Sequence, residues 1–251
     1  MLTAYAAAVA MGLSLSAPAA AVPAKAAHKK TAHKTAHKAK PAAASKPAPE
    51  EPPTEKSEAA ARVAEWVAMS GDNGKYPYII VDKQAARLFV FDADGKQLGD
   101  APVLVGIAVG DEATPGVGAK KLAEIGPAEK TTPAGRFLAK FGRAVGKERV
   151  LWVDYYTSVA MHAVVTSNKK ERRLQRLESP EVDDNRITFG CINVPTAFYA
   201  RQVRPLFQKS GGIVYVLPDT KPLEEVFPRL RLLPYLNSAA HNAGEQPVAQ
   251  G

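Results

Sequence analysis

Between residues 76 and 218 the chain is a series of short apolar runs separated by turn signals, and this spacing limits the fold more than any other feature. Ile79-Ile80-Val81, Leu88–Phe91, Pro102–Val109, Phe137–Phe141, Val150–Val153, Val159–Val165 and Gly212–Leu217 are rich in β-branched and aromatic residues, as strands are. Asp94-Gly95 is a strong turn after the second run. Runs of this length and spacing predict a mainly β fold, an antiparallel sandwich or half-barrel with short flanking helices. Residues 110 to 130, rich in Gly, Pro, Lys and Glu, read as a long loop. Two segments read as helices. Ser57 can cap Ser57–Met69, with Val63, Trp66 and Val67 as its apolar stripe and Gly71-Asp72-Asn73-Gly74 as its end. Pro195–Phe207 follows the sixth run, with Phe198, Tyr199 and Val203 facing inward. Residues 166 to 186 carry Lys169, Lys170, Arg172, Arg173 and Arg176, with Leu174 and Leu177 on a possible helical face. That segment fits a surface helix with a solvated basic face, or a lid facing a substrate.

The ends differ in kind. Of the net charge of +8 over 251 residues, residues 1 to 57 hold +5, from eight Lys and three Glu. The basic character therefore belongs disproportionately to the tail and says little about a site in the remainder. Residues 1–21 form a short apolar run ending in small residues, as in a secretory signal peptide, with cleavage expected after Ala19 or Ala21. No Lys or Arg precedes the run. Residues 22–56 are mostly Ala, Lys, His, Pro and Glu, and the imperfect repeat at 27–38 has no large apolar side chain, so the segment is expected to form a disordered basic linker. A nucleic-acid-binding tail would have much the same composition. In an exported protein the nearer anions are wall polymers and a membrane surface, so no nucleic acid is expected as a partner. The helix takes 57–70, the β domain 76–218, and 219–251 is an extension that turns polar after Leu236 and is expected to be disordered at its end. The oligomeric state is not legible.

Cys191 is the one cysteine of the chain, set in Ile187-Thr188-Phe189-Gly190-Cys191-Ile192-Asn193-Val194-Pro195. A lone thiol cannot form an internal disulfide, so it is inert or reactive. Of the five histidines, His28, His33 and His37 lie in the basic tail and His241 near the polar end, which leaves His162 within the part expected to fold. One thiol and one imidazole, each in strand-like sequence, are the minimum parts of a cysteine nucleophile with a general base. The plainer alternative is a small buried hydrophobe and a hydrogen-bonded core histidine. Gly190 would allow close approach of a substrate to the backbone, the Cys191 N–H could serve an oxyanion, and Asn193 could order the loop or simply turn it. No metal-ligand cluster or phosphate-binding Gly-rich loop is present in the sequence, so no cofactor is expected.

The segment around Cys191 resembles the signature of the L,D-transpeptidase catalytic domain: Ser/Thr, His, Gly, Cys, any residue, then Asn or Arg. Thr188, Gly190, Cys191 and Asn193 match, and Phe189 stands where the family usually has a histidine. His162 matches the upstream histidine, and Lys130-Thr131-Thr132-Pro133-Ala134-Gly135-Arg136-Phe137 is similar to the family's Thr-Pro-x-Gly-x-Phe stretch. The resemblance covers about residues 76 to 218 in the right order. It implies the two-sheet fold of that domain and an exported enzyme, in the periplasm or cell wall, acting on peptidoglycan stem peptides. Cys191 would attack the carbonyl before the terminal D-Ala of a stem and release D-Ala. An amine of a second stem would resolve the acyl-enzyme into a cross-link between two third-position residues. Water would make the protein an L,D-carboxypeptidase, and a protein lysine would give an anchored lipoprotein. His162 would be the general base, held through its other ring nitrogen by the carbonyl of Ala163. A wall-binding module with a dead site and an exported basic structural protein stay open beside the enzyme.

Overall fold

The computed structural model describes residues 54–144 and 148–244. The expected signal peptide at 1–21, most of the expected basic linker at 22–56, and the last residues, 245–251, lie outside them.

Helix α1 (Glu58–Ser70) starts where its cap was expected: the Ser57 hydroxyl accepts the Ala60 N–H at 3.1 Å. It stops at Gly71, whose left-handed backbone (φ 66°) suits a residue without Cβ. Val63, Trp66 and Val67 are its buried stripe, with Ala60. The strands in order are β1 (Tyr78–Asp82), β2 (Arg87–Phe91), β3 (Gln97–Pro102), β4 (Val105–Gly106), β5 (Gly135–Arg143), β6 (Arg149–Asp154) and β7 (Val159–Ala163). After helix α2 (Arg173–Leu177) come β8 (Arg186–Thr188), β9 (Ile192–Val194), helices α3 (Thr196–Phe198) and α4 (Arg204–Phe207), and β10 (Gly212–Val216). Helices α5 (Leu223–Val226) and α6 (Leu233–Gly244) follow.

The fold is mainly β, a large half-barrel-like sheet and a small second sheet with short helices around them. Eight strands form the large sheet in the order β3-β2-β1-β10-β5-β6-β7-β9, and β4 pairs β8 in the small one. The long strand β5 joins the two halves of the large sheet, pairing β10 through Gly135–Ala139 and β6 through Lys140–Arg143. The large sheet is mixed rather than antiparallel, since β1 with β10 and β7 with β9 run parallel, and the small β4–β8 sheet is parallel too. A parallel pair needs a long crossover. The segment between His162 and Cys191 is that crossover, which gives the insert a topological reason for its length.

Two further expectations change. The run Pro102–Val109 is not one strand: Pro102 ends β3, Val105–Gly106 forms β4, and Leu104 between them bonds both ways with the backbone of Asn193, at 3.0 and 2.9 Å. Strand β3 was missed because Gln97-Leu98-Gly99-Asp100-Ala101-Pro102 is polar, as an edge strand can be.

The core explains the near-continuous apolar strands. Ile79 and Val81 of β1 face a cluster with Leu151, Met161, Ile192, Tyr199, Val203 and Phe207. Tyr78 and Ile80 face the opposite cluster, with Trp66 of α1 and Leu230 and Leu233 of the C-terminal segment. A sheet covered on both faces has no wet side to alternate towards. Phe198 packs against the first cluster while Tyr199, Val203 and Phe207 are buried in it, as the inward face of 195–207 required. Tyr199–Val203 is a π-turn, ahead of Pro205, which lacks the N–H for a helical bond to Arg201. The chain does not lose structure at Leu236: α6 runs to Gly244, held by buried Leu233 and by Asn237 Nδ2 donating to Glu65 at 2.9 Å. No helix among the described residues is long and apolar enough to cross a membrane.

Candidate active site

Strands β7 and β9 bring the site together. Their parallel register sets Met161 beside Ile192, His162 beside Asn193 and Ala163 beside Val194. Residues two apart on a strand share a face, so Cys191, one residue before β9, lies on the side of Asn193.

The loop carrying Cys191 is held by two threonines, one at its start and one from a distant segment. Thr188 Oγ1 donates to the Cys191 carbonyl at 2.7 Å and accepts the Gly190 N–H at 3.1 Å. Thr132, from the stretch after the long loop, donates to the Gly190 carbonyl at 2.8 Å and accepts the Gly106 N–H at 2.9 Å. Gly190 is packed against protein rather than left open for a substrate. Its φ is +117°, and a Cβ there would stand 2.6 Å from the Thr131 carbonyl oxygen. Gly190→Ala should therefore cost about 2 kcal/mol or more, from a strained φ and a backbone clash. The check is thermal unfolding, where a loss of at least about 4 °C is expected.

Behind Thr132 sits a buried charge cluster that the sequence did not announce. Lys83, fully buried just after β1, donates to the Gly110 carbonyl at 2.6 Å, the Thr132 carbonyl at 2.9 Å and Asp111 at 3.0 Å. Its Nζ is also 3.2 Å from Asp219, which Arg186 grips with two nitrogens. Burial alone would raise the Asp111 carboxyl. The N–H groups of Asp219, Lys221 and Thr220, with the Thr220 hydroxyl, outweigh it and hold Asp111 well below the usual carboxylate range. The chain Lys83–Thr132–Gly190 thus ties the middle of the sheet to the cysteine loop.

His162 Nδ1 lies 2.8 Å from the Ala163 carbonyl, the acceptor that the family resemblance implies. Its Nε2 lies 3.3 Å from Nδ2 of the buried Asn193. Asn193 Oδ1 accepts from Arg173 Nη1 at 2.6 Å, and Arg173 Nε donates to Glu171 at 2.5 Å. Arg173, one of the basic residues of the insert expected on a solvated face or a lid, turns inward instead, while Arg176 stays within the insert and donates to the Glu171 and Asp184 carbonyls. Leu177 is buried with Leu104 and Val164, whereas Leu174 is 55% exposed, so the expected two-leucine face carries one.

The thiol is half-buried and donates weakly to the Ser158 carbonyl, at 3.7 Å. Burial pushes it up from its ordinary pKa, against the Ala160 backbone and the positive charge of Arg173. Burial pushes His162 down, against the Ala163 carbonyl and Glu148 and with the help of Arg173. Both shifts favour the neutral form, of the thiol and of the imidazole alike. A resting thiolate–imidazolium pair, the usual state of a highly activated cysteine, is not what these surroundings stabilise. Phe189 does not fill the loop interior in place of a histidine: it is 38% exposed, and Lys130 Nζ sits 3.8 Å from its ring centre.

A cavity of about 760 Å³ lies on the other face of the sheet among Trp66, Asp72, Arg136, Tyr215 and Arg229, and neither Cys191, His162 nor Asn193 lines it. Among the described residues no group of three or more His, Cys, Asp or Glu is placed to hold a metal ion.

No family model matches the chain, and no curated protein does. Several solved structures are similar at low identity. The catalytic domain of an E. faecium L,D-transpeptidase is 18% identical over 57% of this chain and 98% of its own, with a TM-score of 0.37. A mutant of the longer Enterococcus faecium L,D-transpeptidase is 19% identical over 57% of this chain and 50% of its own, with a TM-score of 0.32. The helical cell-shape-determining protein Pgp2 of Campylobacter jejuni is 12% identical over 72% of this chain and 64% of its own, with a TM-score of 0.37. The chain thus spans about half the length of the longer Enterococcus protein.

Proposed function

We propose that this protein is an exported cysteine acyltransferase acting on peptidoglycan stem peptides, an L,D-transpeptidase. The observation that carries the reading is the placement of His162 and Asn193 as register partners beside the Cys191 loop, with Nδ1 of His162 on the Ala163 carbonyl. An imidazole held this way keeps a lone pair on Nε2 and can take a proton from a thiol. The motif resemblance supplies the substrate class, and the apolar run at 1–21 the export.

The steps follow from the groups. The Cys191 thiol attacks the carbonyl before the terminal D-Ala as its proton passes to His162. The carbonyl oxygen becomes an oxyanion, for which the Cys191 N–H is a candidate donor. The tetrahedral intermediate collapses as His162 returns the proton to the leaving amine of D-Ala. The thioester left on Cys191 is then attacked by an amine of a second stem. Because both groups rest neutral, the thiolate forms during attack rather than before it.

The test is mass spectrometry of the protein mixed with tetrapeptide-bearing muropeptides. The expected result is a Cys191 adduct lacking D-Ala, followed by a cross-linked dimer. A tripeptide product alone would make it an L,D-carboxypeptidase, and binding without any adduct would make it a wall-binding module. One observation favours that last reading: the thiol is raised, and the Nε2 of the base is already engaged by Asn193. His162→Ala separates the two in a second way. If His162 is the base, turnover should fall about a hundredfold to ten-thousandfold. Turnover unchanged by the substitution would remove His162 from the mechanism.

A further inference from the structure

The hydrogen bonds from the crossover insert to the imidazole admit one arrangement of protons. A guanidinium only donates, so the Asn193 atom facing Arg173 is the amide oxygen, at 2.6 Å. That choice turns the amide NH₂ towards His162 Nε2, at 3.3 Å. An amide NH₂ also only donates, so Nε2 must hold a lone pair. The ring proton is then on Nδ1, where it meets an acceptor, the Ala163 carbonyl at 2.8 Å. Protonating Nε2 would face two donors at each other. Flipping Asn193 to relieve them would face its NH₂ at Arg173. Asn193 cannot swing away cheaply either: it is 1% exposed, and its backbone bonds Leu104 in both directions.

We propose that Arg173 is a positioning residue which, acting through Asn193, locks His162 as the neutral Nδ1–H tautomer with Nε2 as its lone-pair atom. The proposal rests on the reading of His162 as the general base, and it gives the crossover insert a task. Arg173 is itself held from the insert side, by Glu171, and its side chain is 13% exposed. The two charged groups acting on the ring oppose one another: Arg173 of the insert disfavours an imidazolium, while Glu148, just before β6, favours one. From the β9 side the ring meets Asn193, which carries no charge. In this arrangement His162 accepts the thiol proton only when Nε2 leaves Asn193, so the base is delivered unprotonated and is released at the time of attack.

The experiment is a long-range proton–nitrogen correlation spectrum of the imidazoles in nitrogen-15-labelled full chain, followed against pH. The His162 signals are identified by their loss in His162→Ala. Wild type should show the Nδ1–H tautomer alone, down to a pH below the ordinary histidine midpoint. In Arg173→Met both tautomers should appear, and the midpoint should rise by about one pH unit. Arg173→Lys, which keeps a donor, should move both readings back towards wild type. Should Arg173→Met fail to fold, Asn193→Asp decides. Its carboxylate accepts at both ends, so His162 should carry a proton on Nε2 and titrate higher by about a unit or more. An Nε2–H tautomer in wild type, or a His162 titration unmoved in the folded variants, would overturn the proposal. Alkylation of Cys191 by iodoacetamide across pH, in wild type and His162→Ala, reads the base assignment separately. Identical alkylation curves would remove the base reading and leave the tautomer result standing.

Discussion

Cys191→Ala protein should form no covalent adduct with tetrapeptide muropeptides, and its turnover should fall by at least about a thousandfold, to the background level. The loss follows from chemistry: without the thiol no thioester forms, and alanine offers no other nucleophile. The fold should be nearly untouched. The loop is held by the Thr188 hydroxyl on the Cys191 carbonyl and the Thr132 hydroxyl on the Gly190 carbonyl, and neither bond involves the sulfur. The thiol's own bond, 3.7 Å to the Ser158 carbonyl, is weak. Melting temperatures within about 3 °C of each other are expected, as for a substitution that removes no core packing or buried partner. Mass spectrometry and thermal unfolding on the same preparation check both halves. An adduct on the alanine variant would show that acylation goes elsewhere. A large drop in melting temperature would show that the lost activity is a lost fold.

Lys83→Met should be the most damaging substitution away from the reacting groups, costing about 3–5 kcal/mol. Methionine matches the volume of the buried stem, so packing is largely kept. What goes is a cation placed against the Asp111 and Asp219 carboxylates and the Gly110 and Thr132 carbonyls. Removing one partner from a buried ion cluster leaves the others desolvated and unpaired, which is why the loss exceeds that of a surface pair. Arg186 still covers Asp219, and the backbone N–H groups around Asp111 remain, which sets the lower end of the range. At 2–4 °C per kcal/mol the melting temperature should drop by about ten degrees. Activity should fall as well, since Lys83 fixes the Thr132 backbone and Thr132 fixes the cysteine loop. Denaturant unfolding with an unchanged slope would confirm a stability effect. A midpoint equal to wild type would mean that the cluster contributes nothing net. The sign with pH is set by Asp111. Its folded pKa lies below its ordinary 3.8, so its contribution is present above about pH 4 and is lost as the pH falls through the folded value.

What was legible in the sequence is what depends on neighbours in the chain. The cap at Ser57, the end at Gly71 and the buried stripe of α1 are set within one or two helical turns. The apolar runs at β1, β2, β6, β7 and β10 mark strands because a sheet covered on both faces needs apolar residues on both sides. Cys191 and His162 stood out because each was the one residue of its type in the part expected to fold; His241, assigned to the polar end, turns out to lie in α6. Edge strand β3 was not readable, since a polar run is held there by its backbone pairing with β2 and by the ion pair of Asp100 with Arg87, neither of which leaves an apolar pattern. Nor was α6, whose place depends on α1 receiving Leu233 and Asn237.

Lys83 and Arg173 mark the boundary most sharply. Both look like surface charges in the sequence, because the oxygens that make their burial tolerable come from distant segments. Lys83 meets residues 110, 111, 132 and 219, and Arg173 meets Asn193 across the β7–β9 crossover. A charge leaves water only where several acceptors converge on it, and that convergence exists only once the sheet has closed. The sequence by itself determined the strand-rich class and singled out Cys191 and His162; the tertiary structure decided the parallel crossover, the Lys83 anchor and the contacts of His162 with Ala163 and Asn193.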